Sequence, residues 1–430
     1  MTFVRLIGYL AFTEIYFLVT APWRFGRFLP LITRGAAGGF LVLWIGWMLA
    51  AVASDLSNHV LFELLARGVS RAVLTGIATL SIFIICYPSM KRLEMLLAGL
   101  PFSMMISLFY FRPGQMDTFG ATFDDLFKFE TSVNYILTAT IIAACALFYE
   151  RFPWIVIGGL LACAPVYIVL GSRSMGGVLF LAAVTAFAFR LLQARRAGRI
   201  KVGFVRLALI ASIAIAGLVS LKTGYEYAAE NRLLSEKQLR KYDSEKQTKG
   251  GVFVGSRGVF ILTGLLAWMD KPLLGHGSWP ADEVGYFNQA AELVERRTGE
   301  ARVHKVGGKT IRRLLPVHSQ LFGALVEHGV VAFAFFAYMA WLVLWSITFV
   351  PVIMPRYTAL FAVLYWVNLW NFVASPQTHR IPMTAGWAFF LLAYAYRAGM
   401  KKQLHHPRRR PSLDRPCLED AGELASPRAA

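Results

Sequence analysis

The chain has 430 residues, 57% of them hydrophobic and only 16% charged, with a formal net charge of +19. A water-soluble protein of this length carries far more charge, so the composition excludes that class and gives an all-α polytopic membrane protein. Nucleic acid is not an expected partner despite the positive charge, because the basic residues sit in short loops and in the C-terminal tail, as the positive-inside rule requires.

A span takes roughly twenty mostly apolar residues, which gives about eleven (ten to twelve) transmembrane helices in this chain. In chain order the expected spans are roughly 4–22, 35–53, 69–88, 95–111, 131–149, 153–170, 175–192, 204–221, 318–349, 357–375 and 382–398. The first apolar segment runs from Met1 to about Trp23 without a cleavage site, and reads as an uncleaved span or an in-plane helix.

Loop charge sets the orientation. Arg24, Arg27 and Arg34, then Lys91 with Arg92, Arg151, the cluster Arg190–Arg206 and the tail "RAGMKKQLHHPRRR" mark one side as cytoplasmic. The loops at 112–132, 171–174, 222–317 and 375–380 then lie on the outer side.

The expected organisation follows. Residues 1–221 form N-terminal membrane helices, 222–317 one large periplasmic loop, 318–398 C-terminal membrane helices, and 399–430 a basic cytoplasmic tail of disorder-prone composition. Within the loop, aliphatic residues at helical spacing from Val259 to Trp268 predict an amphipathic or partly buried helix, ended by Asp270-Lys271-Pro272. No repeat recurs at a fixed period. Cys86, Cys145, Cys163 and Cys417 lack metal-ligand spacing, so neither a disulfide framework nor a metal site is expected.

Several ionisable residues share the outer side. Arg173 lies in the turn "GSRSMGG", Arg257 in "GSRGVF", and His318 opens the span that carries Glu327. Guanidinium groups grip phosphate oxygens in a bidentate fork, and a histidine near neutrality can take a proton from an attacking hydroxyl. Each has a plainer reading: interfacial anchors for the arginines, a polar helix cap for His318. A carboxylate in an apolar run is costly, so Glu327 is either functional or half of a buried pair holding two helices together. His328 beside it points another way around a helix. His379 and Arg380 in "SPQTHR" are secondary candidates, and Tyr225, Tyr227, Trp268 and Trp279 could stack sugar rings. Asp124 and Asp125 in "FDD" read as a solvated acidic loop, with a metal–diphosphate site as the alternative.

The string "GSRGVFILTGLLAWMDKPLLGHGSWP", followed by "HSQLFGALVEHGVVAFAFF", resembles the signature half of the O-antigen ligase and Wzy-type polysaccharide polymerase family. Members show an arginine-led helix, a "P-lGxG" stretch, an outer loop, then histidine with a small polar neighbour and a glycine further on, here Gly329. The earlier "GSRS" matches the family's arginine turn. The resemblance covers about 170–345; Ala332 stands where a second glycine is usual, and His276 fills the variable place in "GHG".

The resemblance implies a GT-C-like, metal-independent glycosyltransferase without cofactor in the bacterial cell inner membrane. Its donor would be a glycan on undecaprenyl diphosphate, and its acceptor another glycan or lipid A-core, with export or chain-length proteins as further partners. Arg173 and Arg257 would bind the diphosphate and His318 would be catalytic. Polymerisation of repeat units is the first expectation and O-antigen ligation the alternative. A transporter of precursors is the rival reading, for which Glu14, Asn368 and Asn371 within spans would line a path.

Overall fold

The structure is a computed structural model. It describes residues 29–87, 89–111, 132–169, 172–196, 219, 223–232, 239, 242, 251–298, 314–315, 317, 319–374 and 380–405. At 103–104, 106–111, 132–135, 195–196, 251–258, 295, 297–298, 380–382 and 401–405 it describes the helical backbone alone. Among these residues there is no strand, only a bridge between Ala281 and Leu314.

The helices are α1 (Gly35–Ser57), α2 (Phe62–Cys86), α3 (Met90–Phe111), α4 (Ser132–Phe148), α5 (Pro153–Val169) and α6 (Arg173–Arg196). They continue with α7 (Gly251–Asp270), α8 (Tyr286–Thr298), α9 (Gln320–Ser346), the short α10 (Val350–Ile353), α11 (Thr358–Ala374) and α12 (Arg380–His405). Every expected span that falls on described residues coincides with a helix; 4–22 and, apart from Val219, 204–221 lie outside them. Among the described residues, five stretches are long and apolar enough to cross a membrane: Gly35–Ser57, Phe62–Cys86, Arg173–Ala194, Gln320–Ser346 and Pro355–Ala374.

Small residues let these helices approach closely, which matters where lipid removes the hydrophobic driving force between them. On α2, Gly76 faces the indole of Trp44, and a side chain there would collide with the ring. The Trp44 indole N–H donates to the Ala72 carbonyl at 2.8 Å, so α1 and α2 are held by shape and one buried hydrogen bond. The centre is aromatic. Trp47 stacks on Phe335 with centroids 5.1 Å apart, and Trp387 meets Phe335 edge-on at 5.5 Å. Along α12 every residue from Met383 to Ala393 is buried, so this helix runs through the middle of the bundle, against α1, α2, α9 and α11.

Three antiparallel contacts define two ends. Tyr338 bonds the Ala36 carbonyl while Ser54 bonds that of Glu327, which sets α9 antiparallel to α1. Gln193 donates to Pro351 O and Thr358 Oγ1, which brings the last part of α6 to the start of α11. The Ser319 hydroxyl donates to Phe372 O at 2.6 Å and accepts from Phe322 N, capping α9 while tying it to the last turn of α11. One end therefore gathers the end of α1, the start of α2, Arg173, residues 270–280, Ser319 and the last turn of α11. The opposite end gathers the α2–α3, α4–α5 and α9–α11 connections.

The helix expected at Val259–Trp268 is longer, Gly251–Asp270, and ends at Asp270. Val259, Thr263 and Ala267, four residues apart, form its buried face, and it packs on α8 and α9. Asp282 accepts from the N–H groups of Tyr286 and Phe287 at 2.7 and 3.0 Å, satisfying first-turn donors of α8.

Candidate functional site

The first gathered end is built around a break in α9. Gly329 has φ 70° and ψ −161°, a conformation essentially reserved for glycine, and a Cβ there would strike the Leu273 carbonyl. The break frees carbonyls that a regular helix would use internally. Residues 275–277 take them: His276 N donates to Val326 O at 2.8 Å and Gly277 N to Glu327 O at 2.9 Å. Gly275 and Gly277 themselves have positive φ, so "GHG" is a backbone clip that fits into the broken helix. His276 is turned away, its Nε2–H donating to Ala267 O at 2.7 Å and its ring edge-on to Tyr286. Burial and the bond its hydroxyl donates to Asp270 push the Tyr286 phenol up to about 12.

The next residue, Ser278, enters a buried polar chain. Its N–H and hydroxyl both donate to the Asp55 carboxylate, at 2.5 and 2.9 Å. Its oxygen lies 3.1 Å from His328 Nε2, while the Trp47 indole N–H donates to His328 Nδ1 at 3.3 Å. An indole can only donate and an ionised carboxylate can only accept, so the proton order follows: His328 is neutral, protonated at Nε2, and donates to Ser278. The side chain of His328 is fully buried with both nitrogens engaged, which makes it a structural tie between α1, α9 and the clip. Gly68 on α2 touches Ser278, where any larger residue would collide.

Glu327 forms a bidentate ion pair with Arg71 of α2, and both side chains are about seven-eighths covered (16% and 14% exposed). Of its two sequence readings, the pair between helices is the one present. Arg71 and Arg67, one turn apart, both lie over the Trp279 ring, 4.7 and 4.6 Å from its centroid. Trp279 itself has φ 51°. Trp279 thus contacts guanidinium groups, as does Tyr225, which lies 4.7 Å from Arg173 and packs against Tyr242.

The expected site residues divide as follows. Arg173 begins α6 at this end, and Glu327 lies one residue before the α9 break. Arg257 lies on α7 and Arg380 opens α12, each described by backbone alone. His318 and His379 lie outside the described residues, as do Glu14, Asp124 and Asp125; Ser319, next to His318, is the N-cap of α9. The partner of Glu327 is Arg71. Asn368 and Asn371 are buried on α11, with Asn368 donating to Leu364 O of its own helix.

Sequence reasoning missed Asp55, Arg67, Arg71 and Ser278. A signal for Arg71 was present: it is a charge inside an expected span, the same warrant that singled out Glu327. Two opposite charges at corresponding depths of two spans predict a pair. Among the described residues, no group of three His, Cys, Asp or Glu side chains could hold a metal ion. Compared with protein-family models and with curated proteins, the chain matches none.

Proposed function

We propose that the protein is an integral-membrane glycosyltransferase that polymerises undecaprenyl-diphosphate-linked oligosaccharide repeat units at the periplasmic face of a bacterial inner membrane. The observation that carries this reading is the gathering of Arg173, the start of α9 next to His318, and the "GHG" clip at one end of a helical bundle. Under this reading the chain has about eleven spans, and that end faces the periplasm with 222–317 over it.

The chemistry needs few parts. Arg173 and Arg257 bind the two phosphates and neutralise the charge that grows as the glycosyl bond breaks. The acceptor hydroxyl gives its proton to His318 while its oxygen attacks the anomeric carbon. The bond from that carbon to the diphosphate oxygen breaks, the electron pair leaves with the lipid diphosphate, and a single displacement inverts the anomeric configuration. Glu327 acts at a distance, through the ion pair that sets α2 against the broken turn of α9. His379 and Arg380 serve as secondary contacts to phosphate or sugar. Ligation to lipid A-core uses the same donor chemistry with another acceptor.

Purified protein incubated with a lipid-linked repeat unit as sole substrate tests this. A ladder of products from wild type, lost in His318→Ala and Arg173→Ala variants of unchanged thermal stability, is expected. Product formed only after lipid A-core is added would make the enzyme a ligase. Transfer that survives both substitutions would overturn the site.

A further inference from the structure

The cationic pair at Trp279 is not accounted for by the ion pair of Glu327 or by the buried chain of Ser278. Arg67 and Arg71 are four residues apart on one face of α2, an arrangement in which like charges destabilise a helix. Glu327 answers only Arg71. Among the described residues no carboxylate pairs with Arg67, and Glu63, one turn earlier on the same helix, forms no ion pair with it. Asp55 is occupied by Ser278, and Lys271 at the rim adds a third cation, held by Asn58 Oδ1 at 2.6 Å. Arg71 Nε is, in addition, buried with no acceptor.

The aromatic surface between the arginines is held in place at some cost. Trp279 takes a positive φ, rare for a large side chain, and its neighbour Ser278 is fixed by Asp55, His328 and the close approach of Gly68. The cation–π contact is electrostatic and uses none of the guanidinium N–H groups. Arg67 is exposed, so its five donors remain available. An arginine and a tryptophan near the outer end of a membrane helix lie at headgroup depth.

We infer that Arg67, Arg71 and Trp279 form a seat for a phosphate group carried by a lipid. Phosphate oxygens accept from the exposed Arg67 fork, supply the anion that Arg67 lacks, and leave the Arg71–Glu327 pair in place. This seat does not depend on glycosyl transfer. Its phosphate can come from a bilayer phospholipid or from a polyprenyl diphosphate.

Binding to the full-length protein in uncharged detergent separates these sources, with undecaprenyl diphosphate, phosphatidylglycerol and inorganic diphosphate as the three probes. Arg67→Gln is the informative variant, because Arg67 is exposed and pairs with no carboxylate; its thermal midpoint should equal that of wild type. Loss of one charge-assisted contact weakens binding about tenfold, and Arg67→Lys should recover part of it. A tenfold loss for undecaprenyl diphosphate alone assigns the seat to the polyprenyl lipid, and an equal loss for phosphatidylglycerol assigns it to the bilayer. Unchanged binding of both lipids by Arg67→Gln would overturn the proposal, as would a loss confined to inorganic diphosphate. Because the readout is binding, the seat stands or falls apart from the transfer assay.

Discussion

The two ends of the bundle are joined by different means. At the end opposite the clip, Arg356 links two connections, reaching Glu94 at 3.0 Å and Glu150 at 3.1 Å, and the Tyr357 hydroxyl donates to Glu94. Of these groups Arg356 and Glu150 are partly in water, their side chains 37% and 58% exposed, while Glu94 is covered. At the clip end a helix is broken, Gly275, Gly277, Trp279 and Gly329 all take positive φ, and a carboxylate, a serine and a histidine are buried together. Surface ion pairs can be changed with little consequence, whereas strained backbone and buried polar chains persist only where their surroundings fix them. The difference teaches that one end merely joins helices, while the other holds particular groups in fixed positions.

Substitutions can break this contrast. Gly329→Ala has the largest expected effect, since it combines a forbidden φ/ψ with a collision against Leu273; it should cost on the order of 3 kcal/mol or more. A thermal midpoint in detergent close to wild type would show that the α9 break is not required. Next comes Arg71→Met, which strands the mostly covered Glu327 carboxylate at a cost of about 3 kcal/mol. Adding Glu327→Leu should restore much of that, and a double-mutant cycle should give a coupling on the order of 1–3 kcal/mol. Additive effects would mean that the pair does not couple the helices. Smallest is Glu150→Ala, which removes the exposed partner of Arg356, expected at about 1 kcal/mol or less and reduced further by salt. A loss there as large as at Gly329 would erase the distinction between the ends.

Much of the helical layout was legible because apolar runs of the right length can hardly be anything but helices in a membrane. The spans at 35–53, 175–192 and 357–375 were expected within a few residues of helices found at Gly35–Ser57, Arg173–Arg196 and Thr358–Ala374. The Asp270 boundary was likewise visible, because lysine and proline follow it. A boundary also shifted at α2, which begins at Phe62 rather than near residue 69: its charged first turns look too hydrophilic for lipid, and Glu63 and Arg67 are indeed exposed while Gly68 packs against Ser278.

Local composition therefore determined the helical class, the membrane character, and the cost of placing Glu327 in an apolar run. Tertiary structure alone decided that Glu327 meets Arg71, 256 residues away, and that Asp55, Ser278 and His328 share one hydrogen-bonded chain. Helical periodicity reports which residues share a face but not which helix lies against it. The break at Gly329 was also hidden, because a lone glycine in an apolar helix is ordinarily tolerated. It becomes a break only when another segment supplies donors for the carbonyls it frees, and that segment, 275–277, lies half a hundred residues earlier in the chain.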